Sequence, residues 1–223
     1  MTVCALFACE NTCQIKIICI EGVNSLNIST YSLKPRFQQL LTPCRDWLIR
    51  LGFTPNQVTL FTCCLCVIYA GILFIPNTTA FFLLFLPILL FVRMAFNALD
   101  GMVASATNNY SATGSVLNEL CDVISDLALF SAFALILPIP LWSWWLLIVL
   151  SLLSEFVALA VYQATGVRPF SGPFGKSDRA LYLGVLAILL FFYPDIFVLF
   201  YIYITGGLIL ALMTVWNRLK LAK

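Results

Sequence analysis

Histidine is absent from this 223-residue chain, and its nine cysteines are scattered without paired CxxC motifs. A structural zinc site is therefore excluded as a working idea, and the cysteines are expected to be reduced thiols. Charge is scarce as well: 12 Lys and Arg and 10 Asp and Glu make up only 10% of the residues and leave a net charge of +2. No nucleic acid is expected as a partner. The first 30 residues lack a strongly charged start, a clean apolar core and a small-residue cleavage site, so they do not fit a signal peptide. They are expected to be a poorly ordered leader (1–30) to one membrane domain (31–223).

What the chain does have is hydrocarbon: 62% of residues are hydrophobic and the mean hydropathy is +1.00. A spanning helix needs about 20 apolar residues. Runs near that length at 56–75, 80–104, 115–137, 141–164, 179–193 and 196–217 predict an all-α integral membrane protein with six transmembrane helices. Before them, Leu33, Phe37, Leu40, Leu41, Trp47, Leu48 and Leu51 alternate with Lys34, Arg36, Arg45 and Arg50. That pattern predicts an amphipathic surface helix, interrupted near Pro43. Thr54 and Pro55 supply an N-cap and a first helical position for the first span. Lys and Arg cluster before the first span, between the fourth and fifth, and after the last. The positive-inside tendency then places both termini, the 105–114 loop and the 165–178 loop in the cytoplasm.

Against this background the polar segment Asn97 to Asp126 stands out. Residues three and four apart share a helix face, so Asn97 and Asp100 form one stripe and Asn118, Asp122 and Asp126 another. Gly114 and the polar run 105–113 break the chain between them, which predicts an antiparallel hairpin. Reflection about that loop pairs Asp100 with Glu119, Asn97 with Asp122 and Arg93 with Asp126 at equal depth, because both helices rise 1.5 Å per residue. Glu155, in the fourth span, falls within about a turn of Asp126, so a structural network with Arg93 is expected there. Carboxylates and amides in this density suit a hard cation, Mg²⁺ or Mn²⁺. Gly101 and Gly114 leave room for a phosphate to approach the backbone. Together they point to phosphoryl chemistry. The loop 166–180 brings Arg168, Lys176 and Arg179 to the same face, suited to an acceptor phosphate.

The segment resembles the signature of the CDP-alcohol phosphatidyltransferase family, D-x2-D-G-x2-A-R-x8-G-x3-D-x3-D. Asn97, Asp100, Gly101, Ala104, Ser105, Gly114, Asn118 and Asp122 occupy its eight fixed positions with unbroken spacing. TPNQVT at 54–59 is similar to the family's usual start of the first span, and NALDGM, LNE-x-x-DVISD and GPFGKSDRA resemble a bacterial inner-membrane subgroup. The resemblance implies transfer of a phosphatidyl group from CDP-diacylglycerol to a polar alcohol at a cytoplasmic, metal-dependent site in the inner membrane, by a homodimer. It implies that Asp100, Asp122, Asn97 and Asn118 supply the metal site, with Asp122 as the catalytic base; Glu119 and Asp126, which share a helical face with Asp122, are expected to add the charge that the two asparagines lack. Nucleotide binding falls to Asn56, Gly101, Ala104, Ser105 and Gly114, and the acceptor phosphate to Arg168, Lys176 and Arg179. The chain departs from the signature in three places: Asn97 and Asn118 replace aspartates, and Ser105 replaces an arginine. Those departures leave a second reading open, a catalytically weakened member that binds a nucleotide-lipid or a membrane partner. A transporter that uses its buried charges as a relay fits less well, because Asp100 and Asp122 cluster at one end.

Overall fold

The computed structural model describes residues 2–7, 16–21, 34–75, 79–137, 139–169 and 172–221. The expectation of a poorly ordered leader lies largely outside them. Within 1–30 the described residues are two strands, β1 (Thr2–Phe7) and β2 (Lys16–Glu21), paired antiparallel with Thr2 opposite Glu21. Seven helices follow among the described residues: α1 (Lys34–Arg50), α2 (Pro55–Leu73), α3 (Thr79–Thr107), α4 (Ala112–Ile136), α5 (Leu141–Thr165), α6 (Lys176–Phe192) and α7 (Phe197–Lys220). Four of them, α2, α3, α5 and α7, are long and apolar enough to cross a membrane. Helix α4 carries Glu119, Asp122 and Asp126, and α6 is only 17 residues long with Lys176, Asp178 and Arg179 in its first turn. Composition alone therefore does not mark those two as spans.

Local signals fix several helix ends. Thr54 caps α2 in a reciprocal box: the Gln57 amide donates to Thr54 Oγ1 at 3.4 Å, and the Thr54 amide donates to Gln57 Oε1 at 2.9 Å, with Pro55 at the first position. The break between α3 and α4 is shorter than the polar run suggests, residues 108–111 only. Asn108 turns it with φ +50, and the Ser111 hydroxyl accepts from the Gly114 amide at 2.9 Å. Helix α1 runs through Pro43 without interruption. The loop motif 166–180, expected to be irregular throughout, already becomes helix at Lys176, where Asp178 Oδ2 accepts from the Gly175 amide at 3.0 Å.

Helix α2 packs against α3 and α4, α5 against α7, and α3 against α6. Helices α3 and α6 meet where Gly184 lies against Pro87 and Leu90. Between α4 and α5, Trp144 stacks on Phe130 at 5.5 Å and donates its indole N–H to the Phe130 carbonyl at 2.6 Å, so a buried polar handle is satisfied inside an apolar core. A second small core of Leu48, Val58, Leu99 and Val103 seats α1 on the bundle. The thiols of Cys44, Cys63, Cys64, Cys66 and Cys121 are free. Alternation of direction places the start of α2, the α3–α4 turn, the α5–α6 loop and the end of α7 at one end of the bundle, called here the hairpin end.

Candidate active site

Two layers of polar side chains meet at the hairpin end. In the outer layer the Asn97 amide nitrogen donates to Asp122 Oδ1 at 2.6 Å, across the α3–α4 hairpin. Lys176 Nζ lies 2.8 Å from Asp122 Oδ2 and 3.0 Å from Glu119 Oε2. Arg168 clasps Glu119 with two nitrogens, at 2.5 and 2.8 Å, the fork geometry that suits guanidinium to carboxylate. This bond raises the Arg168 guanidinium above its ordinary value, so the side chain stays charged at any working pH. Asp100 faces α2 instead: Thr59 Oγ1 donates to its Oδ2 at 2.9 Å, and the Gly101 amide donates to its Oδ1 at 2.6 Å. Asp100 still lies in the field of both Asp122 and Lys176.

The inner layer is fully internal. Arg93 Nη1 lies 2.6 Å from Asp126 Oδ1, an ion pair set off the line of the N–H bond. Arg179 meets Asp126 Oδ2 at 2.8 and 2.9 Å and Glu155 Oε1 at 3.0 Å. Arg218 completes the layer, 3.4 Å from Glu155 and donating to the Ser154 carbonyl.

The hairpin reflection thus places two of its three pairs, Asn97 with Asp122 and Arg93 with Asp126. The third is not formed, because α2 engages Asp100 while the α5–α6 segment engages Glu119. Arg168 and Lys176, assigned in the sequence to a separate basic loop, bind the acidic hairpin directly. Arg179 is set apart from them: its side chain is 2% exposed, against 26% for Arg168 and 30% for Lys176. Glu155 reaches Arg93 only through Arg179 and Asp126. Among the expected nucleotide contacts, Asn56 packs on Gly114, where an added Cβ would lie 2.8 Å from Asn56 Oδ1. Gly101 has open space beside it, Ser105 is exposed and Ala104 is buried. Thr59 and Arg218 were missed as site residues. Thr59 was visible one turn after Pro55 in TPNQVT, whereas nothing local marks Arg218 as more than a flanking charge.

Oxygen donors fit a hard cation in kind, and Asn118 Oδ1 is a buried acceptor with no partner, so an electrophile suits that position. The supply is narrower than expected. Among the described residues no three acidic side chains gather as a metal cluster. Asp126 is locked between Arg93 and Arg179, and Glu119 between Arg168 and Lys176. Asp122 also meets Lys176, at 2.8 Å, so a cation there would have to displace that lysine, whereas Asp100 and the amide oxygens of Asn97 and Asn118 carry no ion pair among the described residues.

The CDP-alcohol phosphatidyltransferase family model matches residues 53–216. Inner membrane protein YnbA of Escherichia coli is 43% identical over 169 residues, covering 75% of this chain and 83% of that protein. The phosphatidylinositol phosphate synthase of Corynebacterium glutamicum is 34% identical over 109 residues, covering 49% of this chain and 44% of that protein. In fold, the chain resembles Mycobacterium tuberculosis phosphatidylinositol phosphate synthase in complex with manganese and citrate, with a TM-score of 0.67 at 22% identity over 81% of this chain and 88% of that one. The same enzyme with CDP-DAG bound gives a TM-score of 0.63 over 82% and 91%.

Proposed function

The chain belongs to the CDP-alcohol phosphatidyltransferase family, and from that premise we propose that it moves a phosphatidyl group from CDP-diacylglycerol to the hydroxyl of a polar alcohol, releasing CMP. The observation that carries this reading is the family match over residues 53–216, a span within which Asp100 and Asp122 sit on facing helices with Asn97 bonded to Asp122. The acceptor oxygen forms a bond to the lipid-side phosphorus, the bond from that phosphorus to the CMP oxygen breaks, and the hydroxyl proton passes to Asp122. Asn97 fixes one oxygen of that carboxylate. Lys176 and Arg168 are partly exposed and held by Glu119 and Asp122, which suits them to exchange those carboxylates for an acceptor phosphate. Asn56 and Gly114, with Gly101, Ala104 and Ser105, line the hairpin face assigned to the nucleotide. A divalent cation, Mg²⁺ or Mn²⁺, held by Asp100, Asp122, Asn97 and Asn118, would neutralise diphosphate charge.

Topology follows the same reading. All of α2 to α7 cross the inner membrane, with the hairpin end cytoplasmic, and the protein is a homodimer. Helix α1 lies on the inner leaflet: Leu48 faces the bundle while Leu40 and Trp47 are 73% and 60% exposed, a two-sided apolar helix suited to lipid.

The uncharged Asn97 and Asn118 favour one other reading, a nucleotide-lipid-binding protein without turnover. Purified protein in CDP-diacylglycerol vesicles with Mg²⁺ or Mn²⁺, offered a panel of polar alcohols, separates the two. Alcohol-dependent CMP release that disappears in Asp122→Asn is the expected result. Tight CDP-lipid binding with no CMP from any alcohol would establish the binding protein instead.

A further inference from the structure

Five charged side chains, one from each of α3 to α7, form an unbroken chain of contacts beneath the outer layer. It starts at the backbone of Asp122, to whose carbonyl Arg93 Nη2 donates at 3.2 Å. It continues from Arg93 Nη1 to Asp126, from Asp126 to Arg179, from Arg179 to Glu155, and ends where Arg218 meets Glu155 and the Ser154 carbonyl. Every member is less than 9% exposed.

Arg179 is its centre. Nε and Nη2 both engage Asp126 Oδ2, and Nη1 engages Glu155 and the Phe174 carbonyl at 3.3 Å, so each guanidinium nitrogen already has an acceptor. Four of its five N–H groups are thus engaged within the inner layer, and its side chain is 2% exposed. The charges do not cancel within the chain: three arginines face two carboxylates, a formal surplus of one positive charge. Asp100, Glu119 and Asp122 against Lys176 and Arg168 leave the outer layer with a surplus of one negative charge. The layers touch at Arg93, whose Nη2 is 3.7 Å from Asp122 Oδ1. A chain of this kind, each member gripping the next in a low-dielectric interior, transmits a change in one member's geometry to the rest.

We propose that Arg179 is a positioning residue: acting through Asp126 and Arg93, it sets the turn of α4 that presents Asp122, and it does not bind the acceptor phosphate. This rests on the reading of Asp122 as the base. Lysine in place of arginine keeps the charge but lacks the planar fork, so it cannot hold Asp126 and Glu155 together.

Steady-state CMP release in CDP-diacylglycerol vesicles tests the idea with Arg179→Lys, alongside Glu155→Gln, which touches the chain one link further from Asp122. For Arg179→Lys, kcat is expected to fall tenfold or more while KM for the alcohol and for the CDP-lipid stay within twofold. Glu155→Gln should give the same pattern with a smaller fall, about three- to fivefold. A several-fold rise in KM for the alcohol with kcat retained at saturation would make Arg179 an acceptor ligand and overturn the proposal. Melting in detergent supplies a readout that needs no turnover. Arg93 and Arg179 are joined only through Asp126, so Arg93→Met and Arg179→Met should give non-additive shifts in Tm when combined. Additive shifts would break the chain as a unit. If the wild-type chain released no CMP, the transfer reading would fail; non-additive melting in that case would leave a purely structural tie, and the positioning role would be withdrawn.

Discussion

The outer and inner charge layers are built from the same residue types, yet they differ in what they can exchange. Lys176, Arg168 and Glu119 keep water access, so the ion pairs among them compete with solvent and contribute little to stability. Arg93, Asp126, Arg179 and Glu155 have no such access, and removing any one strands its partner in a medium that does not solvate charge. The outer pairs are therefore suited to be broken by an incoming phosphate. The inner ones hold helices in place: α6 reaches α4 and α5 through Arg179, although neither pair is among the closely packed helices.

The comparison can be broken by single substitutions, and the largest effect is expected at the carboxylate where the layers meet. Asp122→Asn removes the proposed base, and CMP release should fall about 10²–10⁴-fold, the range of general-base contributions. Next come the inner pairs. Arg93→Leu and Asp126→Leu should each lower stability by about 3–5 kcal/mol, followed by thermal melting in detergent, and the double change should lose less than the sum. Purely additive losses would mean that the inner layer is no tighter than the outer.

A third substitution probes what carries the outer cations. Gly172 has φ +137, and an added Cβ would lie 2.5 Å from Thr214 Cγ2, while Phe174 donates its amide to Thr214 Oγ1 at 2.9 Å, docking the loop before Lys176 onto α7. Gly172→Ala is expected to reduce stability by about 1–3 kcal/mol, the range for a residue forced into a strained backbone region, and to raise KM for the alcohol because Lys176 follows four residues later. The smallest effect belongs to Glu119→Gln, which loosens Arg168 and Lys176. The melting shift should correspond to less than about 1 kcal/mol and shrink further with added salt. A loss as large as that of Arg93→Leu would erase the distinction between the layers.

Legibility in the sequence followed the same boundary. The hairpin arithmetic recovers Asn97 with Asp122 and Arg93 with Asp126 because the rise per residue fixes depth within two consecutive helices. It fails for Asp100 and Glu119 because it contains only those two helices, and Thr59 on α2 and Arg168 and Lys176 beyond α5 are outside it. The start of α2 was readable to the residue, since Thr54, Pro55 and Gln57 decide it locally. The start of α6 was not: Gly175 and Pro173 look like loop, and the helix begins where Asp178 reaches back to the Gly175 amide. Arg218 was invisible as a network member, since its partner Glu155 is supplied by α5, far away in sequence. The family signature carried the reading of function across gaps that periodicity could not, because Asp100, Gly101, Gly114 and Asp122 keep its spacing.

The order of signs along the inner layer has a bearing on how the protein is made. From α3 to α7 the members run Arg93, Asp126, Glu155, Arg179 and Arg218, so each of the two middle hairpins carries one cation and one anion that contact each other: Arg93 with Asp126, then Glu155 with Arg179. On the proposed topology, in which α3 to α6 all cross the membrane, a chain emerging N-terminus first can deliver each hairpin to the bilayer as an internally neutral pair, before the Arg179 to Asp126 contact welds the two together. Only Arg218 arrives without a counter-charge on its own hairpin, and it sits in the last turn of α7, where its long side chain can wait at the aqueous boundary until Glu155 is in place.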